Sequence, residues 1–258
     1  MLAPRIIPVL LLHKNALYKT VNFDIDKYIG DPLNAVRIFN EKEVDEIFLI
    51  DIDATTNKKE PNFHLIEQIS YECRMPLCYA GGIKNADQIE KLVSLGVEKV
   101  GISSEALNNN ELISQAIDRV GSQSIVVILD VKKISNREDY EIFTHNGKKK
   151  FQEGFTDTLI RINNLNVGEI VINSIDQDGL MRGYDLKLAK KASNIIDLPI
   201  TFLGGAKDLN DMKILFNTAG IVGAAAGSMF VFLGKYKAVM INYPSINEKK
   251  ELIESINW

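Results

Sequence analysis

Cysteine and histidine are scarce in this chain of 258 residues, which has two cysteines, Cys73 and Cys78, and three histidines, His13, His64 and His145. A structural zinc site draws its four ligands mainly from these residue types at short spacings, and no such cluster is visible here, so no His/Cys metal site is expected. Two thiols are too few for a disulfide scaffold and fit a reducing compartment. Cys78 stands in an apolar strand pattern and reads as a buried thiol. No apolar run reaches the ~18 residues of a membrane-spanning helix, and the amino terminus lacks a signal-peptide core, so the expected location is the cytoplasm with no membrane span. Excess positive charge is also missing: a formal net charge of −4 argues against a nucleic-acid partner. Proline and glycine are scattered and form no linker, which points to a single domain over residues 1–258.

The chain does contain a second copy of itself. Val44-Asp45-Glu46-Ile47 returns as Val167-Gly168-Glu169-Ile170, Met75-Pro76 as Leu198-Pro199, and Gly81-Gly82 as Gly204-Gly205, each at an offset of 123 residues. Gly96 and Ser104 return as Gly220 and Ser228 at an offset of 124. The period is far longer than the ~20–50 residues of a solenoid repeat and marks two joined half-folds. Near-continuous apolar segments at 5–12, 46–52, 76–80, 98–103, 124–130, 168–173, 199–203 and 221–226 read as parallel strands covered on both faces. Amphipathic segments near 31–42, 61–73, 85–95, 109–120, 154–165, 184–196, 208–218 and 246–257 read as helices. Asp31-Pro32 and Glu60-Pro61 mark two of their starts. Eight strands alternating with eight helices predict an α/β fold, the (β/α)8 barrel, with an open doubly wound sheet as the alternative. The duplication favours closure from two half-barrels, about 1–122 and 123–245, followed by a terminal helix at 246–257. Long connections at 13–30 and 131–153 occupy equivalent places in the halves and read as lids.

In such a barrel, function sits at the carboxyl ends of the strands. Asp51, Asp53, Gly81-Gly82, Ser103-Ser104, Asp130, Asp176, Asp178-Gly179, Gly204-Gly205 and Gly227-Ser228 all fall there. Glycine lets backbone N–H groups approach an anion, so the two matched sets suit two phosphates, although tight turns alone also use glycine. Asp130, after the apolar run Ile125–Leu129, is placed for general acid–base work. Asp51 and Asp176 repeat each other and read as supporting residues. At the opposite end, Arg5, Glu46, Lys99 and Glu169 lie near the starts of four strands. They read either as scattered surface charge or as a paired ring on the floor.

Taken in order, Arg5-Ile-Ile-Pro8, Gly30-Asp31-Pro32, Phe48-Leu-Ile-Asp51, Gly81-Gly82-Ile83, Gly121-Ser-Gln123, Asp130, Asn146-Gly147-Lys148-Lys149 and Ser174-Ile175-Asp176 resemble the cyclase subunit of imidazole glycerol phosphate synthase, the HisF-like family. The likeness covers about residues 1–235. It implies a (β/α)8 barrel that takes ammonia from a glutaminase subunit docked on the amino-terminal face and carries it up the barrel to a bisphosphate, with no metal or organic cofactor. By the same resemblance Arg5, Glu46, Lys99 and Glu169 match the ammonia gate, and Glu98 lies at the glutaminase interface. Asp130 matches one of two catalytic aspartates, and Lys19 the lysine of the first loop. Gly82, Ser103, Ser104, Asp178, Gly179, Gly205, Gly227 and Ser228 fall at the phosphate sites.

The departures are specific. The second catalytic aspartate is Leu11 here, within Val9-Leu10-Leu11-Leu12, and the only titratable neighbour is His13. Ser103 replaces an asparagine, Ser104 a threonine and Leu180 a threonine. The Pro-Val-Leu-Leu-Leu start and the Ile-Asn-Tyr-Pro-Ser ending resemble a paralogous branch associated with bacterial surface polysaccharide of the O-antigen type. What that implies is ammonia delivery, beside a glutaminase and a separate sugar amidotransferase, for an acetamidino group on a phosphorylated or nucleotide-linked sugar. An orthodox cyclase of histidine biosynthesis, a lyase, is the second expectation, and a non-catalytic scaffold the third.

Overall fold

The computed structural model describes residues 4–135 and 137–256. Eight strands, β1 (Arg5–His13), β2 (Ile47–Asp51), β3 (Leu77–Ala80), β4 (Lys99–Ile102), β5 (Ile125–Lys133), β6 (Glu169–Ser174), β7 (Ile200–Leu203) and β8 (Gly223–Ala226), pair in chain order. Every pair is parallel and β8 closes on β1, which makes a closed barrel. The two-residue period of each strand divides the core in two. Ile7, Val9, Phe48, Cys78, Val126, Ile128 and Val171 fill the barrel interior, with Leu11 and Ile50 packed on them. Their neighbours, such as Ile6, Leu10, Leu12, Leu49 and Val127, face outward to the helices.

Helices α1 (Pro32–Glu41), α2 (Phe63–Glu72), α3 (Ala86–Ser94), α4 (Asn110–Val120), α5 (Phe155–Asn163), α6 (Leu186–Ser193), α7 (Leu209–Ala219) and α8 (Ile246–Glu254) follow the strands in turn. Most starts are fixed by a side chain that accepts a free first-turn N–H. Asp31, Asn62, Asn85, Asn109, Asp185 and Asp208 do so, and Ser245 with Glu248 forms a full capping box. Pro61 lies one residue before the cap of α2 rather than inside the helix, because the Asn62 amide takes the capping role. The expected terminal helix at 246–257 ends at Glu254, and its last position lies outside the described residues.

Both long connections, read from sequence as lids, are antiparallel hairpins. Ala16–Val21 and Asp24–Gly30 form an antiparallel hairpin whose first strand pairs with the upper half of β1. Tyr140–Thr144 pairs antiparallel with the upper half of β5, and Lys149–Lys150 pairs with it in turn. β1 and β5 each have nine residues and outrun the barrel, and these hairpins satisfy the backbone groups left over. The carboxyl-terminal segment closes the floor: Tyr243 donates its hydroxyl to the Ile6 carbonyl (2.9 Å), and Lys249 Nζ lies 2.7 Å from Asp45 Oδ1.

Asp185 serves twice, capping α6 and accepting the buried Tyr140 hydroxyl at 3.0 Å. Asp185→Ala is expected to lower unfolding free energy by about 1–2 kcal/mol, with Asp185→Asn much nearer wild type. Urea unfolding measures this, and equal loss in both variants would contradict the capping role.

Candidate functional site

At the floor, Arg5 of β1, Glu46 just before β2, Lys99 of β4 and Glu169 of β6 meet in one ring. Arg5 reaches Glu46 at 2.5 Å and Glu169 at 2.7 Å, and Lys99 reaches the same carboxylates at 2.7 and 2.8 Å. The scattered-charge reading is thereby excluded. Both carboxylates are buried, so each needs its cations. Burial pushes the Glu169 carboxyl up, but the hydrogen bond and charge of Arg5, and then Lys99, hold it below its usual range. Burial wins at Glu46, whose carboxyl is raised despite Lys99 and Arg5. The neighbouring charge of Glu169 adds to the rise at Glu46. Glu169 accepts four hydrogen bonds, two from Arg5 and one each from Lys99 and Thr201, whereas Glu46 accepts two. Glu98, next to Lys99, is exposed on the same floor.

Above the ring the interior is apolar up to the mouth, where one cavity brings most of the expected site residues together. Leu11, Lys19, Asp51, Ser103, Ser104, Asp130, Asp178, Gly179, Gly205, Gly227 and Ser228 all line it. Gly82 and Asp176 do not. Gly82 packs behind the mouth, donating its N–H to Thr55 Oγ1 (3.3 Å), and its positive φ of 72° is a conformation that glycine adopts without strain. Asp176 accepts the Lys133 N–H (2.8 Å) and so fixes the top of β5. Asp51 accepts the N–H groups of Asp53 and Ala54, holding the turn after β2. Asp178 accepts the Thr20 hydroxyl (2.7 Å) and the Phe23 N–H (3.0 Å), so its carboxylate anchors the first hairpin over the mouth.

Three groups set the chemistry of the mouth. Asp130, at the end of the barrel section of β5, accepts a hydrogen bond from Asn173 Nδ2 (2.9 Å). Burial raises its pKa from 3.8 to about 7, with the Asn173 hydrogen bond opposing. A carboxyl titrating there can donate or accept a proton near neutral pH. Lys19, carried in by the first hairpin, is buried, donates to the Val9 carbonyl (2.5 Å), and is lowered to about 8 by burial against the weaker pull of Asp178. Its ammonium lies over Gly227, where a Cβ would collide with it. Leu11 stands on β1, four strands around the barrel from β5, and packs with the interior apolar cluster.

His13 does not replace the missing carboxylate, because it is not part of the mouth lining. Its Nδ1 lies 2.8 Å from Asp53 Oδ1, and its ring meets Tyr18 edge-on. Among the lining residues that sequence reasoning missed are His145 and Asn173. His145 sits at the tip of the second hairpin with φ 55°. Asn173 leaves its buried Oδ1 without a hydrogen-bond partner among the described residues while its Nδ2 serves Asp130. A signal for Asn173 was available, since the two-residue period from Glu169 through Val171 turns it inward; His145 had none, because the hairpin that aims it is set by tertiary pairing.

Residues 5–237 match the family described as "Histidine biosynthesis protein". The chain is 52% identical over 252 residues to the "Putative imidazole glycerol phosphate synthase subunit HisF" of Leptospira borgpetersenii, covering 98% of this chain and 99% of that one. It is 52% identical over 254 residues to the "Putative imidazole glycerol phosphate synthase subunit hisF3" of Vibrio vulnificus, covering 98% of each. It is 44% identical over 248 residues to the "Putative imidazole glycerol phosphate synthase subunit hisF2" of Pseudomonas aeruginosa, covering 96% of this chain and 98% of that one. With a closed (β/α)8 barrel and matches over nearly its whole length, this chain belongs to the histidine biosynthesis protein family and is HisF-like.

Proposed function

We propose that this chain is the synthase subunit of a glutamine-dependent amidotransferase. A glutaminase subunit docks on the floor beside Glu98. Ammonia enters through the ring of Arg5, Glu46, Lys99 and Glu169 and crosses the apolar interior to the mouth. Neutral ammonia tolerates such a lining, whereas ammonium would lose its hydration uncompensated. At the mouth, Lys19 with the backbone around Gly205, Gly227 and Ser228 suits one phosphate of a phosphorylated or nucleotide-linked sugar, and Ser103 and Ser104 mark the second anion position. The ammonia ends in an acetamidino group of a surface-polysaccharide sugar, with a separate sugar amidotransferase completing the transfer. The observation that carries this reading is Leu11. Cyclisation needs proton transfer on both sides of the substrate, and the wall across from Asp130 is leucine. Relatives named hisF2 and hisF3 fit such a branch.

One observation favours a second reading, an orthodox cyclase. Asp130 titrates near neutrality and shares the mouth with Lys19 and His145. Ammonia-driven turnover of the ribulosyl bisphosphate of histidine biosynthesis separates the two. At high ammonium the wild type is expected to give none, with or without partial gain in Leu11→Asp. Robust wild-type turnover would establish the cyclase and overturn the preferred reading.

Lys99→Ala is expected to leave two buried carboxylates to Arg5 alone, at a cost of about 3 kcal/mol. With the glutaminase bound, it should uncouple glutamine hydrolysis from product formation. Stoichiometric delivery by the variant would remove the ring from the passage.

Asp130 supplies a pH test. Its folded pKa is raised from 3.8 to about 7, so the folded chain holds a proton that the unfolded chain has lost. The stabilisation is present below pH ~4 and disappears as pH rises to ~7. Asp130→Asn is therefore expected to gain in melting temperature over wild type between those values, and a pH-independent difference would contradict the burial argument. In the sugar reading its ammonia-dependent activity stays nearly unchanged; in the cyclase reading it falls about 10²–10⁴-fold.

A further inference from the structure

Strands β7 and β8 carry a pair of residues that a ring of four charges does not account for. Thr201 is fully buried, and its hydroxyl lies 2.5 Å from Glu169 Oε1 and 3.4 Å from Arg5 Nη2. It donates to the carboxylate and accepts from the guanidinium, so both of its functions are used inside the ring. In register Thr201 stands beside Gly223, and Gly223 stands beside Arg5. Arg5 must cross β8 and β7 to reach Glu169 on β6, and Gly223 is the step with no side chain in the way.

Glycine inside a buried strand gives up packing and conformational entropy, so its presence marks a close approach. The reason here is space, because Gly223 is not among the glycines with positive φ. A Cβ at Gly223 would run into the Thr201 hydroxyl and crowd Ile7 Cδ1 at 3.2 Å. Moving that hydroxyl would cost Glu169 one of its four hydrogen bonds and Arg5 one of its contacts.

We propose that Thr201 is a positioning residue of the floor ring, holding Glu169 and Arg5 in the closed arrangement, and that Gly223 leaves the Thr201 hydroxyl its room. The role in ammonia passage rests on the function proposed above; the positioning role does not. Thr201 touches neither ammonia's source nor its acceptor, and acts through Glu169 and Arg5.

The full-length chain on its own is tested first. Thr201→Val removes the hydroxyl at nearly constant volume, Thr201→Ser keeps it, and Gly223→Ala displaces it. Titration of Glu169 by carboxyl-carbon NMR reads the ring directly. Losing a hydrogen bond to the ionised carboxylate is expected to raise its midpoint by about one pH unit in Thr201→Val. Gly223→Ala should shift it the same way, and Thr201→Ser should stay near wild type. An unchanged midpoint in folded Thr201→Val overturns the proposal; should that variant not fold, Gly223→Ala decides by the same criterion. Co-expressed with its glutaminase, Thr201→Val is expected to release a larger share of glutamine-derived ammonia to solvent than wild type or Thr201→Ser. Unchanged release in a variant whose Glu169 midpoint has moved would remove Thr201 from the passage. A wild type that delivers no ammonia to the mouth would sink the passage itself, while the titration would still decide the positioning role.

Discussion

Closure of eight parallel strands is the constraint on which the rest of this structure depends. Once β8 pairs with β1, the eight-stranded barrel itself has no edge, and every second residue of its strands must occupy one enclosed volume. That volume has a floor, a middle and a mouth, and the two-residue period assigns side chains to each. Along β1 the inward positions run Arg5, Ile7, Val9, Leu11. Along β6 they run Glu169, Val171, Asn173. Charged residues are thus confined to the two ends, with only apolar ones between.

The two ends solve the burial of charge in opposite ways. At the floor, two carboxylates and two cations neutralise one another, and Thr201 adds a neutral hydroxyl to the most heavily bonded member. Breaking such a ring is costly because the remaining charge has no water to turn to. At the mouth, Asp130 and Lys19 are each buried without an ion-pair partner among the described residues, and both move toward neutrality. A floor of satisfied charges suits a fixed structural element. A mouth of poorly satisfied ones suits a place where a ligand supplies what is missing.

Both hairpins rise from the strands that outrun the barrel, and they carry Lys19 and His145 to the mouth. Asp178 ties the first hairpin down, and Asn146 ties the second to the Ile52 carbonyl at 2.8 Å. These contacts join residues more than ninety positions apart in the chain, so no local pattern announces them. That is why the strand pairing of these connections was not legible in the sequence, where they read only as long loops.

Several features were settled by the sequence alone. The offset of 123 residues, the strand and helix rhythm and the helix start at Asp31-Pro32 are local or periodic, and each appears in the fold where its pattern puts it. The meeting of Arg5, Glu46, Lys99 and Glu169 in one ring was suggested by resemblance to a family; strand starts alone left it undecided against scattered charge. Only the tertiary structure decided that Gly82 and Asp176 stay out of the mouth lining, that His13 turns to Asp53, and that Thr201 enters the ring beside Gly223. The physical reason is that sequence period fixes which face a side chain takes, while its partners are fixed by which strands become neighbours when the barrel closes.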